Sequence, residues 1–210
     1  MDLNYRTIPL FPSCVHLLDI DNFENHRDQL IKEIYEDRDN DPMGRELSNR
    51  GGWQSIPYRI EKSRSQLLKR IIIDSLMIFE PMAKKGVMAV EGWTNINRQG
   101  DFNVRHNHPN CHLSGVLWIK IPDESSKFRF TNPMLFQRWQ ELEHYTSEFK
   151  AAWNVFPTFH FTPKEGRLML FPSDLDHEVL QNESEEDRIS YSFNINIFSD
   201  RINKGKYENE

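Results

Sequence analysis

Three histidines with the spacing of metal ligands are the most chemically informative residues of this 210-residue sequence. His106 and His108 are separated by one residue, and on a β-strand such residues project from the same face. Pro109 follows at once and predicts the end of that strand. His177 comes after a strand-like run, 167–171, and a turn, which makes it the best candidate for a third ligand. Neutral imidazole binds iron, zinc, copper and nickel, so the ligand type alone leaves the metal open.

The other five histidines have weaker patterns. His112 follows His108 by four residues and is compatible with three roles: a fourth ligand, a hydrogen-bond donor beside the site, or a strand-end residue packed against Trp118. The remaining ones have no partner pattern, and we expect them at the surface or in the core: His16, His26, His144 and His160.

The N-terminal part of the chain, residues 1–85, is predicted to support the site with helices. Apolar residues recur at helical spacing after a candidate N-cap at Asp21 or Asn22. A stronger apolar stripe runs over 67–79, and Pro81 is predicted to end that helix.

Two stretches of this part are not helical by pattern. The segment 8–12 contains two prolines, which limit any strand there to a sheet edge. The loop 48–55 contains two adjacent glycines and is predicted to expose Trp53.

A β-rich core is predicted for residues 86–198. Branched and aromatic residues concentrate in 87–93 and 113–121. Residues 189–198 alternate apolar and polar side chains, which is the period of a half-buried strand. A polar, aromatic stretch at about 136–155 is predicted to be a helical insertion.

These patterns predict one domain over residues 1–210, with a charged tail at 199–210. Its class is mainly β with N-terminal helices, built on a double-stranded β-helix of the jelly-roll or cupin-like kind. A homodimer is compatible with this architecture.

Composition predicts the compartment and excludes several partners. The net charge of −6 and the pI near 5.8 argue against broad nucleic-acid binding, which needs clustered Lys and Arg. Apolar runs are too short for a membrane span, and the first residues do not resemble a secretory signal. Two cysteines, Cys14 and Cys111, are predicted to be free thiols. We therefore expect a cytoplasmic protein with no membrane partner.

Several motifs resemble the 2-oxoglutarate/Fe(II) oxygenases related to prolyl hydroxylases. The resemblance runs from about residue 8 to 198 and is most specific in the second half. The motifs are LFP at 10–12, GWQS at 52–55, WTNINRQG at 93–100, HNHP at 106–109, LSGV at 113–116, PKEGRLMLFPS at 163–173 and RIS at 188–190.

This resemblance implies an enzyme that uses Fe(II) and 2-oxoglutarate. Three protein ligands would hold the metal, with the catalytic centre at His106, His108 and His177. Arg188, eleven residues after His177, would bind the far carboxylate of 2-oxoglutarate, and Ser190 on the same strand face would add a hydrogen bond. Hydroxylation of a C–H bond, with release of succinate and carbon dioxide, is the implied reaction. The substrate is a protein side chain or a small molecule.

One position departs from the family pattern. The common motif is His-x-Asp or His-x-Glu, and here His108 stands at the carboxylate position. The alternative ligands in place of His108 are the side-chain amide of Asn110 or a carboxylate. We still predict three histidine ligands, because Asp176 would point away from His177 on an extended segment. The candidate carboxylates are Asp101, Asp174 and Asp176.

Two other interpretations stay open. The spacing of Gly100, the His-x-His pair and His112 also resembles a metal cupin, which predicts a three-histidine dioxygenase that does not use 2-oxoglutarate. A jelly-roll binding module without catalysis is the third. In any of the three, four residues are candidates for lining the pocket: Trp53, Trp93, Asn95 and Trp118.

Overall fold

The computed structural model describes residues 13–79, 86–123, 125, 127–134 and 142–199. The predicted edge strand at 8–12, the helix end at Pro81, part of the insertion and the tail from residue 200 lie outside these residues. No helix among them is long and apolar enough to cross a membrane.

The described ranges contain helices on the N-terminal side and strands beyond them. The helices are α1 (Glu24–Asn40), α2 (Gln66–Phe79) and α3 (Ser147–Trp153), with a 3-10 helix at Ile60–Lys62. The first strands are β1 (His16–Asp19), β2 (Asn49–Arg50), β3 (Trp53–Gln54), β4 (Tyr58–Arg59), β5 (Gly86–Asn97) and β6 (Phe102–His106). The later strands are β7 (Leu113–Lys120), β8 (Phe128–Thr131), β9 (Thr158–Phe161), β10 (Arg167–Pro172), β11 (His177–Val179) and β12 (Arg188–Ser199).

Within the described part of the chain, these strands form two antiparallel sheets. The larger has the order β1-β10-β7-β12-β5-β3, with β4 also paired to β5, and the smaller has the order β2-β6-β11-β8-β9. Together they form the predicted double-stranded β-helix, with helices on its N-terminal side.

The two faces of β12, within the larger sheet, differ in polarity. Its side chains alternate, as predicted, between buried apolar residues and polar residues that line a cavity. The apolar set is Ile189, Tyr191, Phe193 and Ile195, and the polar set includes Arg188, Ser190 and Ser192.

The apolar face of this sheet packs against α1 and α2. Leu30 and Ile34 of α1 and Leu68 and Ile72 of α2 are buried in one cluster with the apolar residues of β12. The hydroxyl of Ser65 accepts a hydrogen bond from the Leu68 N–H (3.0 Å) and caps α2. This packing is the reason that the predicted apolar stripe over 67–79 is helical.

A second apolar cluster lies between the two sheets and consists mainly of aromatic side chains. Its buried members are Val116, Trp118, Phe128, Phe130, Met169, Phe171 and Leu175. Because these residues come from β7, β8, β10 and the turn after it, the cluster joins the larger sheet to the smaller one.

Two predictions about the N-terminal part are wrong. Neither Asp21 nor Asn22 caps α1: Phe23 stands at the cap without a side-chain hydrogen bond, and Asn22 turns the chain with a φ of 53°. Trp53 is only 5% exposed, because its Nε1–H donates to the carbonyl of Asp41 (2.8 Å) and its ring joins the core.

Glycines on both neighbours of β12 make room for its aromatic rings. Tyr191 lies across Gly92 of β5, and Phe193 lies across Gly115 of β7, so that a methyl group at either glycine would overlap a ring. Phe193 is fully buried and cannot move away without repacking the core.

We expect Gly115→Ala to lower the free energy of unfolding by about 1–3 kcal/mol, as overpacked core sites do. Chemical denaturation measures this change. Phe193→Leu should remove most of the overlap, so the two substitutions together should cost less than the sum of their separate effects. Additive effects would contradict the predicted contact.

Candidate metal centre

Two of the three histidines meet through strand pairing in the smaller sheet. His106 is the last residue of β6 and His177 is the first residue of β11, and the antiparallel register places them directly opposite each other. Their ring centroids are 4.4 Å apart. The strand-and-turn pattern before His177 therefore delivers this residue to the predicted place.

His108 reaches the same place from a loop rather than from a strand. β6 ends at His106, so the predicted strand through both histidines is two residues too long. The backbone N–H of His108 donates to the carbonyl of Ser173 (2.7 Å), which ties this loop to the turn between β10 and β11. This hydrogen bond, rather than strand pairing, holds the backbone of His108 in place.

The three imidazoles form a compact group. One ligand nitrogen from each of His106, His108 and His177 lies within 4.8 Å of the other two. Within the described ranges, this is the one cluster of His, Cys, Asp or Glu side chains with metal-ligand geometry. Three nitrogen ligands suit iron and other transition metals, and their role as ligands remains a prediction.

Burial keeps these histidines neutral, as metal ligation requires. Removal from water lowers the pKa of His177 to about 3 and that of His108 to about 4, and repulsion from a protonated His106 lowers both further. The pKa of His106 is also lowered by burial, against an opposing effect from the Val104 carbonyl. At neutral pH each ring therefore has a lone pair available.

Backbone carbonyls orient two of the rings. His106 Nδ1 is 2.7 Å from the carbonyl oxygen of Val104, and His177 Nδ1 is 2.8 Å from that of Leu175. Because a carbonyl only accepts, each Nδ1 bears the proton and each Nε2 presents its lone pair.

Aromatic rings surround His177 and separate it from solvent. Phe128 stacks on the imidazole with a centroid distance of 5.4 Å and an interplanar angle of 13°. Phe171 meets it edge to face at 4.9 Å, and His177 itself is 4% exposed. These contacts fix the plane of the ring and keep the centre dry on this side.

Arg188 and Ser190 line the same cavity as the three histidines. Arg188 is the first residue of β12 and is 2% exposed, with its Nη1 donating to the carbonyl of Leu180 (3.1 Å). Burial lowers the pKa of its guanidinium to about 10, while the charge of Asp101 opposes that change, so Arg188 remains a cation at neutral pH. The roles of Arg188 and Ser190 toward a cosubstrate remain predictions.

The alternative carboxylates lie outside the histidine group. Asp176 accepts a hydrogen bond from the Asn107 amide (2.8 Å), and Asp101 accepts one from the backbone N–H of Arg98 (2.7 Å). Neither these residues nor Asp174 belongs to the cluster with ligand geometry. The structure therefore favours an all-histidine ligand set over one with a carboxylate.

The other candidate residues divide into those that line the histidine cavity and those that lie elsewhere. His112 is not a member of the ligand group; its Nδ1 accepts the backbone N–H of Ile197 (3.2 Å). Trp93, Asn95 and Trp118 line the cavity, whereas Trp53 lines a different cavity beside Asp37 and Tyr58.

Several polar residues of the cavity were missed by sequence reasoning. Ser192 lines the cavity, and Asn194 follows it on the polar face of β12 that begins with Arg188 and Ser190. Ser114 of β7 also lines the cavity and pairs with Asn194. The two-residue period of β12 was the signal that could have identified the first two. Ser114 had no such signal because β7 is buried on nearly every residue.

The residues present fit Fe(II) and 2-oxoglutarate. Three neutral nitrogen ligands can hold a divalent transition metal and leave coordination positions for other ligands. A buried guanidinium on the wall of the same cavity suits the carboxylate of a chelating acid.

Solved structures share the fold. A Pseudomonas putida prolyl-4-hydroxylase has a TM-score of 0.59 at 15% identity, over 87% of this chain and 91% of that chain. The carbocyclase SnoK from nogalamycin biosynthesis, described as non-heme and α-ketoglutarate dependent, has a TM-score of 0.61 at 12% identity, over 89% and 80%. HygX from Streptomyces hygroscopicus, with nickel and 2-oxoglutarate bound, has a TM-score of 0.54 at 12% identity, over 88% and 82%.

A sequence profile matches the part of the chain that contains the candidate site. No curated protein matches the chain. Residues 91–194 match the profile described as "Putative 2OG-Fe(II) oxygenase", and this segment contains the three histidines, Arg188 and Ser190. The matched segment, just under half of the chain, together with the shared fold thus indicates a 2OG-Fe(II) oxygenase, an enzyme whose cofactors are Fe(II) and 2-oxoglutarate.

Proposed function

We propose that this oxygenase holds Fe(II) through His106, His108 and His177 and hydroxylates a C–H bond at the expense of 2-oxoglutarate. The observation that carries the proposal is the placement of three neutral imidazoles and the buried guanidinium of Arg188 around one cavity. A metal ligand group alone would not need the arginine, because a cation beside a metal ion is electrostatically unfavourable unless an anion lies between them.

Arg188 anchors the cosubstrate in this proposal. Its planar guanidinium can bind a carboxylate through two parallel hydrogen bonds, and one of its five N–H groups is already used on the Leu180 carbonyl. Ser190, two residues further along the same face of β12, can donate a third bond from its hydroxyl. These contacts set the distance and direction of the keto acid end of 2-oxoglutarate relative to the histidines.

The protein contributes position and a dry cavity, and the bound iron and 2-oxoglutarate supply the activation of dioxygen. In the overall reaction, one oxygen atom of dioxygen enters succinate and the other enters the hydroxylated product, while the keto acid loses its carboxylate as carbon dioxide. Removal from water lowers the pKa of His106, His108 and His177, so these side chains are neutral at neutral pH and available to the metal. Phe128 and Phe171 exclude water from the His177 side.

Two kinds of neighbour support two different substrate classes. Similarity to a prolyl-4-hydroxylase supports a protein side chain, and similarity to a carbocyclase from nogalamycin biosynthesis supports a small molecule. Both are likenesses of fold, and function resides in the site, so we keep both classes as candidates. A net charge of −6 argues against nucleic acid. The two free thiols, Cys14 and Cys111, support a cytoplasmic location.

We expect His177→Gln to abolish tight Fe(II) binding. Loss of a ligand should cost more than the roughly 10–100-fold that loss of a supporting group costs. Anaerobic titration with Fe(II), followed by iron analysis of the protein after gel filtration, measures this effect, and thermal unfolding checks that the variant folds.

Two matched histidine variants test the ligand assignment. His112→Ala removes the histidine that the sequence allowed as a fourth ligand. His160→Ala removes an exposed histidine on β9, which lies in the same sheet as β6 and β11. Both should bind Fe(II) within about threefold of the unchanged protein. Tight iron binding by a folded His177→Gln variant would refute the three-histidine centre.

We expect Arg188→Ala to weaken 2-oxoglutarate binding by about 10–100-fold, since a hydrogen-bonded charge pair contributes about 1.5–3 kcal/mol. The weak visible absorption band of the Fe(II) chelate reports binding during anaerobic titration. Arg188→Lys keeps the charge but loses the fork geometry, and it should give an intermediate affinity.

Arg59→Ala, on the exposed face of β4, is the matched arginine control and should not change the titration. Stoichiometric iron with no band in the unchanged protein would favour a three-histidine dioxygenase that does not use 2-oxoglutarate. Absence of iron binding would favour a binding module without catalysis.

A further inference from the structure

His108 is oriented differently from the other two histidines. The Nδ1 atoms of His106 and His177 each face a backbone carbonyl, which leaves Nε2 available to a metal. His108 has a side chain in that position: its Nδ1 is 3.4 Å from the amide nitrogen of Asn194 on β12. The tautomer of His108 therefore depends on which end of the Asn194 amide faces the ring.

Ser114 lies on the other side of this amide. Its hydroxyl is 2.8 Å from Asn194 Oδ1, and the two residues are direct partners in the pairing of β7 with β12. A hydroxyl can donate to Oδ1 or accept from Nδ2, so Ser114 supports either orientation of the amide. The carbonyl and amino ends of an Asn side chain have almost the same shape, and hydrogen bonding alone selects between them.

The two orientations have opposite consequences for a metal. In the structure Nδ2 faces His108, and in this orientation the amide donates to Nδ1, the ring proton resides on Nε2, and Nε2 has no free lone pair. With Oδ1 facing His108, Nδ1–H donates to Asn194, Ser114 accepts from Nδ2, and Nε2 is free. The second orientation alone gives His108 the same tautomer as His106 and His177.

Resting on the three-histidine site of the proposed function, we propose that Asn194, supported by Ser114, is the positioning residue that makes His108 a metal ligand. With the amide turned over, its oxygen accepts the Nδ1 proton of His108 and leaves the Nε2 lone pair free for the metal shared with the other two imidazoles. Asn194 and Ser114 thus orient His108 in the way that the Val104 and Leu175 carbonyls orient His106 and His177.

Among the contacts of His108, the hydrogen bond to the Asn194 side chain is the one that can select the tautomer of the ring. The His108 backbone is held by its N–H bond to the Ser173 carbonyl, and its own carbonyl accepts the N–H of Cys111 (3.2 Å). Trp93 of β5 packs beside the imidazole with a centroid distance of 5.6 Å and an interplanar angle of 48°. These contacts fix the position of the ring, but an apolar ring face cannot select a tautomer.

The tautomer of His108 in metal-free protein tests the proposal directly. Long-range hydrogen–nitrogen correlation spectra of histidine-labelled protein distinguish a protonated from an unprotonated ring nitrogen, and His108→Gln assigns the signal. We expect Nδ1 to carry the proton in the unchanged protein and to lose this preference in Asn194→Ala. A His108 with its proton on Nε2 in the unchanged protein would overturn the proposal.

Metal affinity provides a second readout, with Co(II) as an oxygen-stable absorbing probe. Asn194→Ala should weaken Co(II) binding about 10–100-fold, as loss of a group that orients a ligand does. Asn194→Asp retains an acceptor for Nδ1–H and should bind Co(II) at least as tightly as the unchanged protein. Asn196→Ala, two residues further along the same strand, is the matched control and should have no effect.

Equal Co(II) affinity of Asn194→Ala and Asn196→Ala would also overturn the proposal, provided that both variants show the thermal unfolding of a folded protein. The test is independent of 2-oxoglutarate. If the proposed oxygenase reaction fails through Arg188, the tautomer and the Co(II) affinities still decide the role of Asn194.

Discussion

The two-residue period of β12 is the constraint on which both the core and the site depend. One face of this strand packs under α1 and α2, and the other supplies Arg188, Ser190 and Ser192 to the cavity and Asn194 to the contact with His108. Because β12 pairs with β5 on one side and β7 on the other, a register shift of one residue would exchange the two faces. Such a shift would bury the polar set against the helices and expose the apolar set to the site.

Strand pairing in the smaller sheet brings two of the three histidines together across a long stretch of sequence. His106 and His177 are far apart in the sequence, and the pairing of β6 with β11 places them opposite each other. This contact has an entropic cost that local structure cannot offset. The aromatic cluster around Phe128, Phe130 and Phe171 stabilises the pairing by burying apolar area directly beside His177.

The proposed all-histidine site suits an anionic cosubstrate because of its charge. A site with a carboxylate ligand neutralises part of the metal charge, whereas three imidazoles leave the whole of it. The guanidinium of Arg188 adds another positive charge on the wall of the same cavity. 2-Oxoglutarate carries two carboxylates, so it can neutralise the metal at one end and the arginine at the other. The proposed ligand set and the proposed anchor would thus be complementary to the same molecule.

Much of this protein was predictable from its sequence because the signals are local. The periods of two and 3.6 predicted β12 and α2, spacing singled out His106, His108 and His177, and the resemblance to 2-oxoglutarate oxygenases singled out Arg188. Other features could not be predicted, because they depend on residues distant in the chain. The burial of Trp53 rests on the Asp41 carbonyl, and the end of β6 before His108 rests on Ser173.

The sequence by itself determined which residue types are available and on which strand face each one lies, since those properties follow from backbone geometry. The tertiary structure alone decided that the three imidazoles converge, that burial makes them neutral, and that Asn194, itself bonded to Ser114, meets His108. The physical reason is that convergence and burial depend on strand pairing and sheet packing between distant segments, and a local pattern does not specify these.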